Sequence, residues 1–203
     1  MLVLAACGAE KNGPKVPTFA DQAAAAAAAA GPAKDEGAVP DDCSRLIGTG
    51  DLGALLGLPL DSVALRTTQH VEAPSVGRTE RVACDYTGQG SVKGRLLQLD
   101  VSAYVDADAA AAHWRVNSEA EDGDRIEVSI GSASAVLVHR RSDSVLRVVH
   151  GTHNLAFVLP NRKLPGERTA EEVLVDLALR VLAVVDTGAS TPAPSGTALP
   201  DAP

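Results

Sequence analysis

Apolar and polar residues alternate most regularly in Leu97–Val105, where every odd-numbered position is apolar and every even-numbered position is polar. This period of two predicts a β-strand with one buried face. Five other stretches have the composition of strands bounded by turn residues. They are Val63–Val71, Arg81–Thr87, Ala133–Arg140, Val145–His150 and Leu155–Leu159. Hairpin-length turns separate the last three, so these are predicted to form a meander.

Helical spacing and capping residues predict four helices, each preceded by a side chain that can accept a hydrogen bond from a free backbone N–H. They are Cys43–Ile47 behind Asp41 or Asp42, Leu52–Leu56 behind Asp51, a helix from Asp106 to about Glu119, and one from Ala170 to Val184. The last has the strongest signal, because Thr169 and Glu172 form a capping box ahead of an apolar stripe.

The elements follow the order helix, strands, helix, strands, helix, and short turns favour antiparallel pairing. We therefore predict an α+β domain over residues 41–184, with a single antiparallel β-sheet flanked by α-helices. Residues 8–40 have the Pro/Ala-rich composition of a disordered linker, and residues 185–203 that of a disordered tail.

The formal net charge is -8, and residues 41–184 contain 20 acidic and 15 basic side chains. A nucleic-acid-binding domain needs a basic face to displace counterions, so this balance argues against a nucleic-acid partner. Arginine outnumbers lysine, and alanine, valine and aspartate are frequent. This bias is typical of proteins encoded by GC-rich genomes such as those of actinobacteria.

The segment Leu4-Ala5-Ala6-Cys7 matches the lipobox of bacterial lipoproteins, in which the cysteine receives a diacylglyceryl group. The match predicts lipidation at Cys7, a membrane anchor and an extracytoplasmic location. Residues 1–7 would then be a truncated signal segment, because six residues are too few for a basic and an apolar region. Either the coding start lies further upstream or the match arises by chance, and we favour the first.

Cys43 and Cys84 remain once Cys7 is assigned to lipidation. Two leftover cysteines outside the cytoplasm usually form a disulfide, which here would join the first helix to the second strand. The alternative is a pair of reduced, buried thiols. A metal site at these residues is not expected, because no CxxC motif is present and two thiols do not complete a tetrahedral site.

Gly48-Thr49-Gly50-Asp51-Leu52-Gly53 matches the dinucleotide-binding pattern G-x-G-x-x-G. That pattern requires a preceding strand and a phosphate-facing helix N-terminus. The residues before Gly48 instead predict a helix, and Asp51 would repel phosphate. We interpret the motif as a turn between two helices, and no cofactor is predicted.

Other polar groups are weaker candidates for chemistry. His150 and His153 flank a predicted turn and His139 lies on the strand before it, which would allow a shared metal but fits solvated hairpin residues better. Ser132 and Ser134 lack the setting of a nucleophile elbow. Three acidic residues, Asp122, Asp124 and Glu127, lack the spacing of a calcium loop and are expected in a solvated turn.

Arg140, Arg141 and Arg147 lie close together in sequence around one predicted hairpin. Guanidinium groups pair well with phosphate or carboxylate, so an anion-binding patch is an open alternative to ordinary surface arginines.

Several short motifs together resemble a group of actinobacterial lipoproteins of unknown function. Besides Cys7 and the spacer, they are Asp42-Cys43-Ser44-Arg45-Leu46-Ile47, Asp51-Leu52-Gly53-Ala54-Leu55-Leu56, Cys84-Asp85-Tyr86 and Asp106–Trp114 after a strand. Such domains are similar to extracellular sensor domains of actinobacterial receptor kinases and to PsbP-like lipoprotein domains. The resemblance implies an antiparallel sheet flanked by helices and no established catalytic residues.

The sequence therefore favours a non-enzymatic, lipid-anchored binding or sensor-like module for a small ligand, expected to be apolar, or for an envelope protein. A purely structural envelope lipoprotein is the first alternative. An envelope hydrolase with an unrecognised site is the second.

Overall fold

Seven antiparallel strands form a single sheet in the computed structural model of this chain, which describes residues 39–58, 63–69, 71–89 and 93–188. The order across the sheet is β1-β2-β3-β7-β6-β5-β4. The strands are β1 Val63–Thr68, β2 Arg78–Gly88, β3 Gly94–Tyr104, β4 Asp124–Ile130, β5 Ala133–His139, β6 Asp143–His150 and β7 His153–Pro160.

In the part of the chain that the structure describes, four α-helices accompany the sheet, together with short 3-10 helices at Pro74–Val76 and Pro165–Glu167. They are α1 Cys43–Leu46, α2 Thr49–Leu56, α3 Ala107–Glu119 and α4 Ala170–Gly188. The predicted class, α+β with one antiparallel sheet flanked by helices, is confirmed.

One face of the sheet carries the main core. Pairing aligns Val82, Cys84 and Tyr86 of β2 with Val101, Leu99 and Leu97 of β3, so all six side chains point the same way. They are fully buried together with the apolar faces of α1, α2 and α4. Burying each such side chain contributes about 1.5–3 kcal/mol. The core is aliphatic apart from Tyr86 and Phe157, as the few aromatic residues of the sequence require.

The predicted pair Cys43 and Cys84 is joined in a disulfide that links α1 to β2. The cysteines are 41 residues apart. Closing a loop of that length stabilises the fold by about 4 kcal/mol in the chain-entropy account. Beside it, the buried Tyr86 hydroxyl lies 3.1 Å from the carbonyl oxygen of Cys43 and 3.0 Å from that of Ile47. Its one hydrogen is shared between these two carbonyls, which belong to the first residue of α1 and to the residue after its last.

The opposite face of the sheet is covered by α3, which packs on β3, β6 and β7. Asp106 caps this helix by accepting from the backbone N–H of Ala109 at 2.7 Å, as predicted. Four buried apolar residues that are not part of the main core lie on this side, namely Ala110, Val136, Val138 and Val145. Most other positions of this face are polar.

Strand β4 corrects the prediction that Asp124 and Glu127 lie in a solvated turn, whereas Asp122, predicted with them, is exposed just before the strand. Asp124 and Glu127 are exposed residues of β4, and Ile126 pairs with Leu137 on β5. Charged residues at the exposed edge of a sheet protect it against pairing with other chains, and here they obscured the strand signal.

Several predicted boundaries also change. Helix α2 begins at Thr49, two residues before Asp51, and β1 ends at Thr68 instead of Val71. Val39, assigned to the linker, is 2% exposed in the core, and its backbone N–H donates to Glu80. Val185, assigned to the tail, is fully buried on α4. Tertiary burial outweighs the polar composition that suggested earlier boundaries.

Candidate functional site

A polar groove of about 430 Å³ lies between α3 and the face of the sheet opposite the main core. Its floor is formed by outward-facing residues of β3 and β7, which alternate with core residues along each strand. Register pairs Ser102 with Asn154 and Asp100 with Ala156, so small and polar side chains line the floor. The polar half of the strongest predicted strand therefore faces a covered groove and not open solvent.

The first arginine pair, Arg78 and Arg81, comes from β2 and forms one wall. Arg81 donates from Nε to Asp100 Oδ1 at 3.1 Å, and Gln98 donates to the other oxygen of that carboxylate at 3.2 Å. Arg78 donates from Nε to the carbonyl oxygen of Val71 at 3.1 Å. Within the described residues Arg78 forms no ion pair with a carboxylate. Arg78 and Arg81 together therefore have one positive charge that Asp100 does not neutralise.

The second arginine pair, Arg140 and Arg147, forms the opposite wall around Glu121. Arg147 donates from Nε to Glu121 Oε1 at 2.8 Å, and Arg140 donates from Nη1 to Oε2 at 3.0 Å. Arg140 also donates to Asp143 at 2.6 Å. The Glu121 side chain is only 10% exposed, so both of its oxygens are engaged away from bulk water.

Gly123 explains how Glu121 reaches this position. It adopts a φ of 143°, and a Cβ placed there would lie 2.4 Å from the carbonyl oxygen of His139. Only glycine allows the chain to pass so close, which folds the end of α3 back against the β5–β6 turn. The Asp122-Gly123-Asp124 break that the sequence predicts thus sets Glu121 beside Arg140.

A hydrogen-bonded triplet lies under α3 in the groove. Tyr104 donates its hydroxyl to His113 Nδ1 at 2.5 Å, and the Asn117 amide lies 2.9 Å from the same nitrogen. The Asn117 amide nitrogen can only donate, which assigns Nδ1 as the acceptor and the ring proton to Nε2, and in that tautomer the Tyr104 hydroxyl donates as well. Burial lowers the pKa of His113, and the charges of Arg78 and Arg147 lower it further. Burial also raises the pKa of Tyr104, which keeps its hydroxyl a donor.

Two residues that line the groove each have a buried polar atom without a hydrogen bond from the described residues. They are Trp114, whose Nε1 is a donor and which also lines a second pocket beside β4 and β5, and Asn154, whose Oδ1 is an acceptor. Asn154 is fixed from its other end, since its Nδ2 donates to the carbonyl oxygen of Ala110 at 3.0 Å. Buried polar groups normally have partners, so these two favour a polar occupant of the groove.

The predicted arginine patch is only partly brought together. Arg140 and Arg147 meet at Glu121, whereas Arg141 is exposed and does not line the groove. Arg78 and Arg81 were not predicted from the sequence, although Arg81 alternates with the buried residues of β2. Nine other groove residues were also missed in this role: Gln98, Asp100, Ser102, Tyr104, His113, Trp114, Asn117, Glu121 and Asn154.

The histidines differ from expectation. His150 and His153 pair across the β6–β7 hairpin, but His153 is 4% exposed and is not a solvated turn residue. His150 lies 3.6 Å from Asp186 of α4. His139 donates to or accepts from Ser144 at 3.0 Å. Across the described ranges, no group of three or more His, Cys, Asp or Glu side chains is arranged to hold a metal ion.

The remaining motifs occupy structural positions. The G-x-G-x-x-G segment was predicted to be a turn between two helices, but only Gly48 lies in the connection between α1 and α2. Thr49–Gly53 are already part of helix α2, so the turn is shorter than predicted. Ser132 lies in the β4–β5 turn, and Ser134 lies exposed on β5 opposite Ser129.

Cys7, the predicted lipidation site, lies outside the described residues. No helix in the described part of the chain is long and apolar enough to cross a membrane.

No known protein family and no curated protein matches the sequence. One solved structure with a similar arrangement is the extracellular domain of PknH from Mycobacterium tuberculosis. The two chains share 12% identity with a TM-score of 0.45, and the match covers 70% of this chain and 94% of that one. Values this low transfer no residue role and no ligand to this chain.

Proposed function

We propose that this protein is a lipid-anchored, extracytoplasmic binding module that takes a small anion into the arginine-lined groove. One observation carries the proposal. Four guanidinium groups and only two carboxylates line the groove of a protein whose net charge is -8. A positive groove in an acidic protein concentrates anions locally, whereas the surrounding surface repels them.

The covered position of the groove strengthens this argument. Helix α3 excludes part of the solvent, and charge-assisted hydrogen bonds are stronger where water is scarce. The volume of about 430 Å³ falls within the size range of small-molecule sites. The polar lining favours an anionic ligand over the apolar one that the sequence suggested.

A binding role fits the groove better than hydrolysis. A general base needs a reactive group within hydrogen-bond reach of its free nitrogen, together with an orienting acid. His113 instead directs Nδ1 at Tyr104 and Asn117, and the charges of Arg78 and Arg147 disfavour its protonation. The module is therefore proposed to be non-enzymatic.

Binding of inorganic phosphate tests this function directly. In calorimetric titration at low ionic strength, the chain is expected to bind phosphate saturably, and Arg78→Gln to weaken binding roughly tenfold. Arg78 is suited to this test because its removal leaves no carboxylate in the groove unpaired.

Arg141→Gln is the matched control, since it changes the net charge equally at an exposed position outside the groove. Equal weakening by both variants, or no saturable binding at all, would exclude the groove as an anion site.

The proposed lipid anchor at Cys7 is supported by observations that do not involve the groove. Cys7 lies in a lipobox-like segment, and the buried Cys43–Cys84 disulfide fits a protein exposed to an oxidising compartment. In cells that express the natural gene, the protein is expected in the membrane fraction, and Cys7→Ser to release it. Retention of Cys7→Ser in that fraction would contradict lipidation at this residue.

A further inference from the structure

The two arginine pairs do not offer the same electrostatic environment. Around the second pair, Glu121 and Asp143 match Arg140 and Arg147 charge for charge. Around the first pair, Asp100 is the one carboxylate among the described residues that forms an ion pair, and it pairs with Arg81. An incoming anion therefore gains most at the first pair, where it displaces no carboxylate.

The two arginines of the first pair lie at the same edge of the groove. Register pairs Arg78 with Tyr104 and Arg81 with Ser102, and the Tyr104 hydroxyl contacts His113. Arg81 donates to Asp100 through Nε and Nη2, which leaves Nη1 available. Arg78 donates through Nε, and neither of its Nη atoms forms a hydrogen bond within the described residues. Several N–H donors on two guanidinium groups suit a group with three acceptor oxygens.

The groove continues well beyond this anion position. Register places β2 and β6 three strand spacings apart, which is roughly 14 Å across the floor. That floor carries Ser102, Asn154 and Ala156, and α3 contributes Trp114 above it. An inorganic anion at Arg78 and Arg81 would leave the part of the groove between β3 and β6 empty.

The two buried atoms without hydrogen-bond partners indicate which chemical groups would occupy the rest of the groove. Trp114 Nε1 needs an acceptor and Asn154 Oδ1 needs a donor. A hydroxyl group provides both, whereas a carboxylate or a hydrocarbon provides one or neither. A ligand with several hydroxyl groups is therefore favoured along the floor.

We propose, on the basis of the function proposed above, that the ligand is a phosphate monoester of a sugar or polyol. Its phosphate lies at Arg78 and Arg81, and its hydroxylated body lies over Asn154 beneath Trp114. With Asp143 counted, four guanidinium groups face three carboxylates, and the one positive charge left over lies at the first pair. Coulombic attraction grows with the charge of the ligand, so this excess favours a phosphate dianion over a singly charged anion.

Three probes applied to the unchanged full chain test the proposal without a variant that risks misfolding. Glucose 6-phosphate has the dianion and the hydroxyl groups, glucose 6-sulfate has the hydroxyl groups with one charge, and propyl phosphate has the dianion without them. Calorimetry is expected to show glucose 6-phosphate binding about tenfold more tightly than either of the others.

Equal affinity for the phosphate and the sulfate would overturn the dianion assignment. Equal affinity for glucose 6-phosphate and propyl phosphate would overturn the hydroxylated body. If inorganic phosphate binds in an Arg78-dependent manner but glucose 6-phosphate binds no better, this inference fails while the proposed function survives. If no phosphate species binds, both fail.

A vesicle-binding experiment distinguishes a lipid headgroup from a soluble compound as the source of the phosphate monoester. Vesicles containing phosphatidylinositol 4-phosphate present the same chemistry as a lipid headgroup. Vesicle binding that glucose 6-phosphate competes away assigns the ligand to the membrane surface. Binding of glucose 6-phosphate without vesicle binding assigns it to a soluble compound.

Discussion

His113 shows how single residues of the groove are tuned. It receives hydrogen atoms from Tyr104 and Asn117 at one nitrogen and lies near the charges of Arg78 and Arg147. Burial and these two arginines lower its pKa, so the folded protein binds a proton at His113 less readily than the unfolded chain does. The neutral ring adds no charge to the groove but holds Tyr104 in place as a donor.

This shift predicts a pH dependence of stability. The ordinary histidine pKa is 6.5, and the folded value lies below it. Stability from the neutral ring is complete above pH 6.5 and is lost as the pH falls through the lower, folded pKa. His113→Asn keeps an acceptor near the Nδ1 position and does not titrate. Urea unfolding is expected to show the natural chain losing stability relative to His113→Asn between about pH 7.5 and 5.

His139→Asn, at an exposed histidine of β5, controls for the loss of a histidine elsewhere. Parallel stability curves for the natural chain and His113→Asn would contradict the account of the triplet.

Glu121 determines how helix α3 is held over the groove. It lies just after the helix ends and binds Arg140 and Arg147 from the sheet side. The same carboxylate stabilises the cover of the groove and competes with a ligand for the arginines. Stability and anion affinity therefore oppose each other at this residue.

Glu121→Gln is expected to separate these two effects. Loss of the charge leaves both arginines without their shared partner and lowers the free energy of unfolding by about 1–2 kcal/mol, a value discounted for their partial exposure. The same change raises the positive charge of the groove and strengthens phosphate binding severalfold. Urea unfolding and calorimetry measure the two quantities.

Glu119→Gln removes the same charge from an exposed position on α3 and serves as the control. If Glu121→Gln behaves like Glu119→Gln in both measurements, Glu121 neither holds the helix nor competes with the ligand.

Elements with local signals could be predicted from the sequence. The capping box of α4 forms as expected, because Thr169 and Glu172 exchange hydrogen bonds within one turn of the helix.

Two features could not be predicted from local signals. Strand β4 was missed because its charged residues lie at an exposed edge of the sheet. The groove was missed because alternation in β3 shows which residues share a face, but not that α3 returns to cover the polar one. Arg78 and Glu121 come together with their neighbours only through long-range packing.

At the scale of the whole molecule, the two faces of the sheet have different roles, one in stability and the other in forming the groove. One face packs the aliphatic core, with the Cys43–Cys84 disulfide fastening α1 to it. The other face is mostly polar and holds the groove beneath α3. Because the rigid core supports the floor from behind, the groove residues are held in place before a ligand arrives, which lowers the entropic cost of binding.

The central claim is that an anion binds between α3 and the sheet. NMR of the side-chain Nε–H groups in ¹⁵N-arginine-labelled full chain, titrated with inorganic phosphate, tests it most directly. The account predicts saturable shifts for Arg78 and Arg81, smaller shifts for Arg147, and none for Arg141. Uniform shifts of all arginines, or none at Arg78 and Arg81 while others move, would contradict it.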